Sequence, residues 1–236
     1  MALPKLATPE YTLKLPSNNM EVKYRPFLVK EEKILLMAVE SGNESQMTNA
    51  ISSILEDCVD FRDGTRVKDL PTFDVEYLFL NLRAKSIGET IKVVMPCKNC
   101  KNDYTLNIDI ESVKMNMVDD HDSKIQLTEE IGVVMKYPTF GMTIDESTRE
   151  VITKDPVRLV NSCIDKIYDS DKVYNAKDYS DSDLNEFVES LNQDQFLKIQ
   201  KFFETMPSMK HDASFTCGKC DTRNELVLES IQDFFV

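Results

Sequence analysis

Cys97-Lys98-Asn99-Cys100 and its distant echo Cys217-Gly218-Lys219-Cys220 are the stretches from which the fold of this chain is read. Each is a C-x-x-C between segments of strand character. Ile91-Lys92-Val93-Val94-Met95 precedes the first, and Tyr104, Leu106, Ile108 and Ile110 alternate after it. Ala213-Ser214-Phe215 precedes the second, and Leu226-Val227-Leu228 follows it. Apolar alternation about a tight turn is the signature of a hairpin. Two hairpin tips with a cysteine pair each offer four thiolates, the ligand set of a tetrahedral structural zinc.

The separation of the pairs sets the topology. In an ordinary zinc ribbon they stand a dozen or two residues apart; here residues 101 to 216 intervene, 116 in all. One metal held by Cys97, Cys100, Cys217 and Cys220 therefore requires the end of the chain to return to its middle. The expected organisation is residues 1–100 with an N-terminal hairpin, helices and the first cysteine hairpin, then an inserted α+β segment at 101–216. Residues 217–236 supply the second cysteine hairpin and a tail returning to the first, and the three parts read as one composite domain. A redox dithiol and a pair of disulfides are the competing readings. The first asks for the motif at the start of a helix in a βαβ unit, and the second for a secreted chain. The N-terminus, Met1-Ala2-Leu3-Pro4-Lys5-Leu6, lacks the apolar run of a secretory signal, so the expected compartment is the cytoplasm. Cys58 and Cys163 have apolar helical neighbours and read as core residues.

At 236 residues the chain can bury a sizeable core without the metal. No apolar run has the length of a membrane span. The net charge of −13 argues against a nucleic-acid partner, which asks for a basic surface. That weakens the reading of the cysteines as a zinc-ribbon transcription protein. The basic residues near the cysteines, Lys92, Lys98, Lys101, Lys219 and Arg223, read as solvated surface.

Along the chain, residues 11 to 28 predict a hairpin, Lys30 to Ser41 a helix closed by Gly42, and Glu44 to Cys58 a second helix. Thr72 is the expected N-cap of a helix from Phe73 to Ala84 that is apolar nearly all round and so buried. Strands are expected at 124–127 and 132–137, and helix from about Ser147 to Tyr168 with a break at Pro156. Ser182 or Asp183 is the expected cap of the next helix, and Asn192 begins another. The terminus Ile231-Gln232-Asp233-Phe234-Phe235-Val236 is apolar and suits a core or a partner surface. Helices outnumber strands, and the strands gather near the cysteines. The expected class is α+β, helix-rich, with β-hairpins carrying a split four-cysteine site of zinc-ribbon type.

Catalytic material is scarce. There are two histidines, His121 in a polar loop and His211 six residues before Cys217, and six glycines with no phosphate-binding loop. No G-x-S-x-G or H-E-x-x-H occurs. Asp119, Asp120 and Asp122 lack the glycine and terminal Glu of a calcium loop. Four thiolates leave a zinc no open position for substrate. The expected class is not an enzyme.

Several stretches carry a joint resemblance. They are Leu15-Pro16-Ser17, Tyr24-Arg25-Pro26-Phe27-Leu28-Val29-Lys30-Glu31-Glu32-Lys33, Leu78-Phe79-Leu80-Asn81-Leu82-Arg83-Ala84-Lys85-Ser86-Ile87-Gly88-Glu89, Phe187-Val188-Glu189-Ser190-Leu191, Phe202-Phe203-Glu204-Thr205-Met206-Pro207 and Asp233-Phe234-Phe235, together with both cysteine pairs. In these the chain resembles the baseplate hub assembly proteins of T4-like tailed bacteriophages; residues from about 118 to 181 match least. The resemblance implies a non-enzymatic role in building the tail baseplate hub in the host cytoplasm. It implies hub subunits as partners, and either an assembly factor or a hub component of the virion.

Overall fold

The computed structural model describes residues 6–61, 64–145, 148–150 and 154–228, with Glu111 described by its backbone alone. Two compact units emerge. The first combines the described residues up to 116 with those from 208 on, and the second is the described residues between 117 and 207.

In the first unit, β1 (Tyr11–Lys14), β2 (Glu21–Tyr24) and β3 (Val59–Asp60) form an antiparallel sheet in that order. Helix α1 (Val29–Ser41) ends on Gly42, whose φ of 60° is the left-handed conformation that a C′ glycine adopts without strain. Asn43 caps α2 (Glu44–Cys58), accepting from the Gln46 N–H at 3.1 Å. Both helices match the periodicity reading. Helix α3 (Thr72–Ile87) buries Phe73, Val75, Leu78, Phe79, Leu80, Leu82 and Ala84, as its all-round apolarity requires. Its start differs from expectation. Pro71 occupies the cap position and Thr72 the first helical one, because proline has no N–H to lose there. Asp74 is buried and does more than face the helix dipole. It accepts from the Ser17 N–H at 3.0 Å and from the Ser17 hydroxyl, tying the β1–β2 turn to α3.

Strands β4 (Thr90–Pro96) and β5 (Asp103–Asp109) form one hairpin, and β11 (Ser208–Thr216) and β12 (Arg223–Leu228) another. Strand β11 also pairs with β6 (Lys114–Asn116), giving the order β12-β11-β6. Ile91, Val93, Ile108, Ile110, Val113, Met209 and Leu228 pack with Leu80 and Ala84 of α3 in one core. The Asn116↔Ser208 pairing sets the boundary of the intervening segment. The chain leaves and re-enters this unit on neighbouring strand ends. The division thus falls after 116 and before 208, not after 100 and before 217, because β5, β6 and β11 share a core with α3.

The second unit has an antiparallel sheet of order β10-β9-β8-β7, from β7 (Lys124–Gln126), β8 (Gly132–Met135), β9 (Ile164–Tyr168) and β10 (Val173–Asn175). Its helices include the single turn α4 (Gly141–Ile144), α5 (Pro156–Cys163), α6 (Asp181–Glu189) and α7 (Gln193–Thr205). Leu127, Val133, Met135, Val160, Cys163, Ile164, Leu184, Val188, Ile199 and Phe202 form its core. Three expectations fail here. Residues 164–168 form a strand where helix is expected. Cys163, Ile164 and Ile167 fit a helical stripe, but pairing with β8 and β10 outweighs that spacing in a segment rich in β-branched and aromatic residues. Ser180 caps α6 in place of Ser182 or Asp183; the Asp183 carboxylate accepts from the Ser180 N–H at 3.0 Å, completing a capping box. Strands do not gather only near the cysteines, since this four-stranded sheet lies in the other unit. Asn192 caps α7 as its sequence predicts. The architecture is α+β. The tail 231–236 and part of the expected 147–168 helix lie outside the described residues.

Candidate metal centre

The two cysteine hairpins present the same local structure twice. After β4, the Cys97 N–H donates to the Asn102 carbonyl at 2.9 Å and the Lys101 N–H to the Cys97 carbonyl at 3.0 Å. After β11, the Cys217 N–H donates to the Thr222 carbonyl at 3.0 Å and the Asp221 N–H to the Cys217 carbonyl at 2.9 Å. The residue following each second cysteine is left-handed, Lys101 with φ 58° and Asp221 with φ 51°. Each turn therefore folds the backbone around its own pair of sulfurs. In each pair the first cysteine is buried and the second half-buried.

The turns converge. All four Sγ atoms lie within 4.8 Å of one another. Cys97 and Cys220 stand 3.7 Å apart and Cys100 and Cys217 3.5 Å, so close contacts span the two hairpins. A tetrahedron of zinc–sulfur bonds about 2.3 Å long has edges of about 3.8 Å. The sulfurs thus have the spacing of ligands around one ion. They also meet in one cluster, whereas two sequence-local disulfides would not require the hairpins to meet.

Asn224, which sequence reasoning missed, joins the two turns. Its carboxamide is buried. Oδ1 accepts from the Lys98 N–H at 2.9 Å, while Nδ2 donates to the Thr222 carbonyl at 2.9 Å and toward the Cys97 sulfur at 3.6 Å. The Cys220 thiol lies 3.3 Å from the Thr222 hydroxyl. Tyr104 and Phe215 stack across the hairpins with ring centroids 4.5 Å apart and planes 5° from parallel. The available signal for Asn224 was an amide in a strand otherwise expected to alternate, four residues after Cys220.

The electrostatics of the sulfurs are uneven. Hydrogen bonds to the Thr222 side chain and backbone bring the Cys220 thiol down to about 6. Backbone donation from the Cys100 N–H lowers Cys97. The Asn102 N–H draws Cys100 down, but burial and three sulfur neighbours win and push it up to about 11. Four sulfurs in contact cannot all become thiolates without a compensating cation, and a dication that accepts four thiolates supplies one. The donor set fits a soft or borderline metal ion such as zinc.

The remaining candidates stand apart from the cluster. His211 lies on β11 with Nδ1 3.4 Å from the Ser112 hydroxyl, outside the four-sulfur group. His121 lies in the loop before β7, as its sequence context predicts, and is half-buried there. It stacks on Tyr137 and Phe202, with Nε2 2.9 Å from the Tyr137 hydroxyl and Nδ1 2.9 Å from the Thr205 hydroxyl. Burial lowers its pKa. Cys58 and Cys163 are buried, and burial pushes their thiols up to about 11 and about 12, which makes them inert core residues. No helix of the described residues is long and apolar enough to cross a membrane.

A family model described as T4 bacteriophage base plate protein matches residues 8–236. No curated protein and no solved structure matches the chain.

Proposed function

Because the chain belongs to the T4 bacteriophage base plate protein family, we propose that it is a non-enzymatic assembly factor for the tail baseplate hub. In this reading it binds hub subunits in the host cytoplasm, and Cys97, Cys100, Cys217 and Cys220 hold one structural zinc ion. The observation that carries the role is the family match along nearly the whole chain. The site chemistry supports its non-enzymatic character: four thiolates fill a tetrahedral shell and leave no position for a substrate or water. When bound, the ion would lock two hairpins whose cysteine pairs are separated by 116 intervening residues.

The testing experiment is a tagged pull-down from infected cells beside mass spectrometry of purified virions. Capture of hub subunits with no copies in virions supports the assembly factor. Copies in virions make it a structural baseplate component, and capture of no baseplate protein removes the reading. Elemental analysis of the purified protein tests the metal separately; one zinc per chain is expected.

A further inference from the structure

Helix α1 buries little for an apolar helix. Glu31, Leu35 and Ala38 are its buried residues, and they share one side of the helical wheel. Val29, Lys33, Leu36, Met37 and Glu40 occupy the opposite side, and all five are exposed. Met37 is 71% exposed, Val29 70% and Leu36 54%, which is unusual for three large apolar side chains on one helix face. Among the described residues, neither Lys33 nor Glu40 has an ion-pair partner; the neighbouring Lys30 is already engaged with Glu31 and Asp57.

The order of these residues is self-complementary. Lys33 precedes the Leu36-Met37 pair by three residues and Glu40 follows it by three. A twofold axis passing between Leu36 and Met37 sets a second α1 antiparallel to the first. Leu36 then faces Met37 of the second copy, and Lys33 faces its Glu40, with each contact made twice. An unrelated partner would have no reason to match this symmetry, whereas a second copy of the same chain matches it automatically.

We propose that the outward face of α1 is an isologous homodimer interface, with the Leu36–Met37 contact at its centre and two Lys33–Glu40 ion pairs at its edges. One helix of 13 residues is about 20 Å long, so the interface is small and the dimer weak and concentration-dependent. The exposed charges contribute mainly specificity and orientation.

Sedimentation velocity over a concentration series tests this with the full chain. The wild-type protein is expected to shift from monomer to dimer. Met37→Asp abolishes the dimer. Lys33→Glu and Glu40→Lys each weaken it about tenfold or more by opposing like charges twice per interface, and the double exchange Lys33→Glu/Glu40→Lys restores it to within about threefold. All of these positions are on the exposed face, and unchanged circular dichroism and melting confirm folding. A monomer at every concentration overturns the proposal, as does a dimer that ignores Met37→Asp or the charge exchanges. A monomeric wild type that loses capture of a baseplate protein on Met37→Asp would also overturn it, by assigning the face to a different chain.

Discussion

Asn224→Ala probes the link between the cysteine hairpins without touching a sulfur. The side chain is 5% exposed, so its loss is not repaired freely by solvent. Two hydrogen bonds at 2.9 Å disappear, one from the Lys98 N–H and one to the Thr222 carbonyl, and the contact at 3.6 Å to the Cys97 sulfur goes with them. At about 1 kcal/mol per buried hydrogen bond, the expected loss is about 2–3 kcal/mol. For a protein of this size that lowers the melting transition of the cysteine-bearing unit by about 5–10 °C. Groups that orient metal ligands also set affinity, so the metal dissociation constant should rise about 10–100-fold in a chelator competition. Asn224→Asp should be worse than alanine. It keeps an acceptor for Lys98 but turns a carboxylate toward the Cys97 sulfur and the Thr222 carbonyl. An alanine variant with melting within about 1 °C of wild type and unchanged metal affinity would refute the bridging role. So would an aspartate variant as stable as wild type.

Cys97→Ser and Cys217→Ser should each abolish stoichiometric metal binding in elemental analysis. In calorimetry they should destabilise the first unit while the second, which has its own core around Val133, Ile164 and Phe202, keeps its transition. Glu31 gives a pH signature. Burial alone would raise its pKa, but Arg25, Lys30 and backbone N–H donors hold it down from 4.5 to about 2. A carboxylate depressed in the folded state contributes stability that is complete above its unfolded pKa and lost as pH falls through the folded one. Stability should therefore decline between pH 4.5 and about 2, and Glu31→Gln should flatten that decline in denaturant titrations at each pH. Gly132→Ala drives a methyl group into the Tyr168 hydroxyl and to 2.8 Å from the Ile125 carbonyl oxygen. It should cost about 1–3 kcal/mol in thermal unfolding as the Tyr168 ring is displaced.

Local signals carried much of the first unit. The alternation around each C-x-x-C located both hairpins, and Gly42 closes α1 through a backbone need that reads directly from residue type. The site was legible for the same reason. Two cysteines three apart must lie within one turn, and four thiols invite one metal. Asn224 was not legible, because an asparagine acquires its role only when Lys98 and Thr222 are brought to it. Strand β9 was misread because Cys163, Ile164 and Ile167 satisfy a helical spacing, and only hydrogen bonds to β8 and β10 select the extended form.

By itself, then, the sequence determined the α+β class, the cysteine hairpins, the bounds of α1 and α2, the start of α7, and the buried character of α3. Each follows from short-range sterics, capping or the period of apolar residues. Only the tertiary structure decided where the intervening segment begins and ends, since that rests on Asn116 pairing with Ser208 across more than ninety residues. It also decided that the four sulfurs meet and that Leu36 and Met37 remain uncovered on α1. Convergence and exposure depend on which distant surfaces pack together, and no local pattern encodes that.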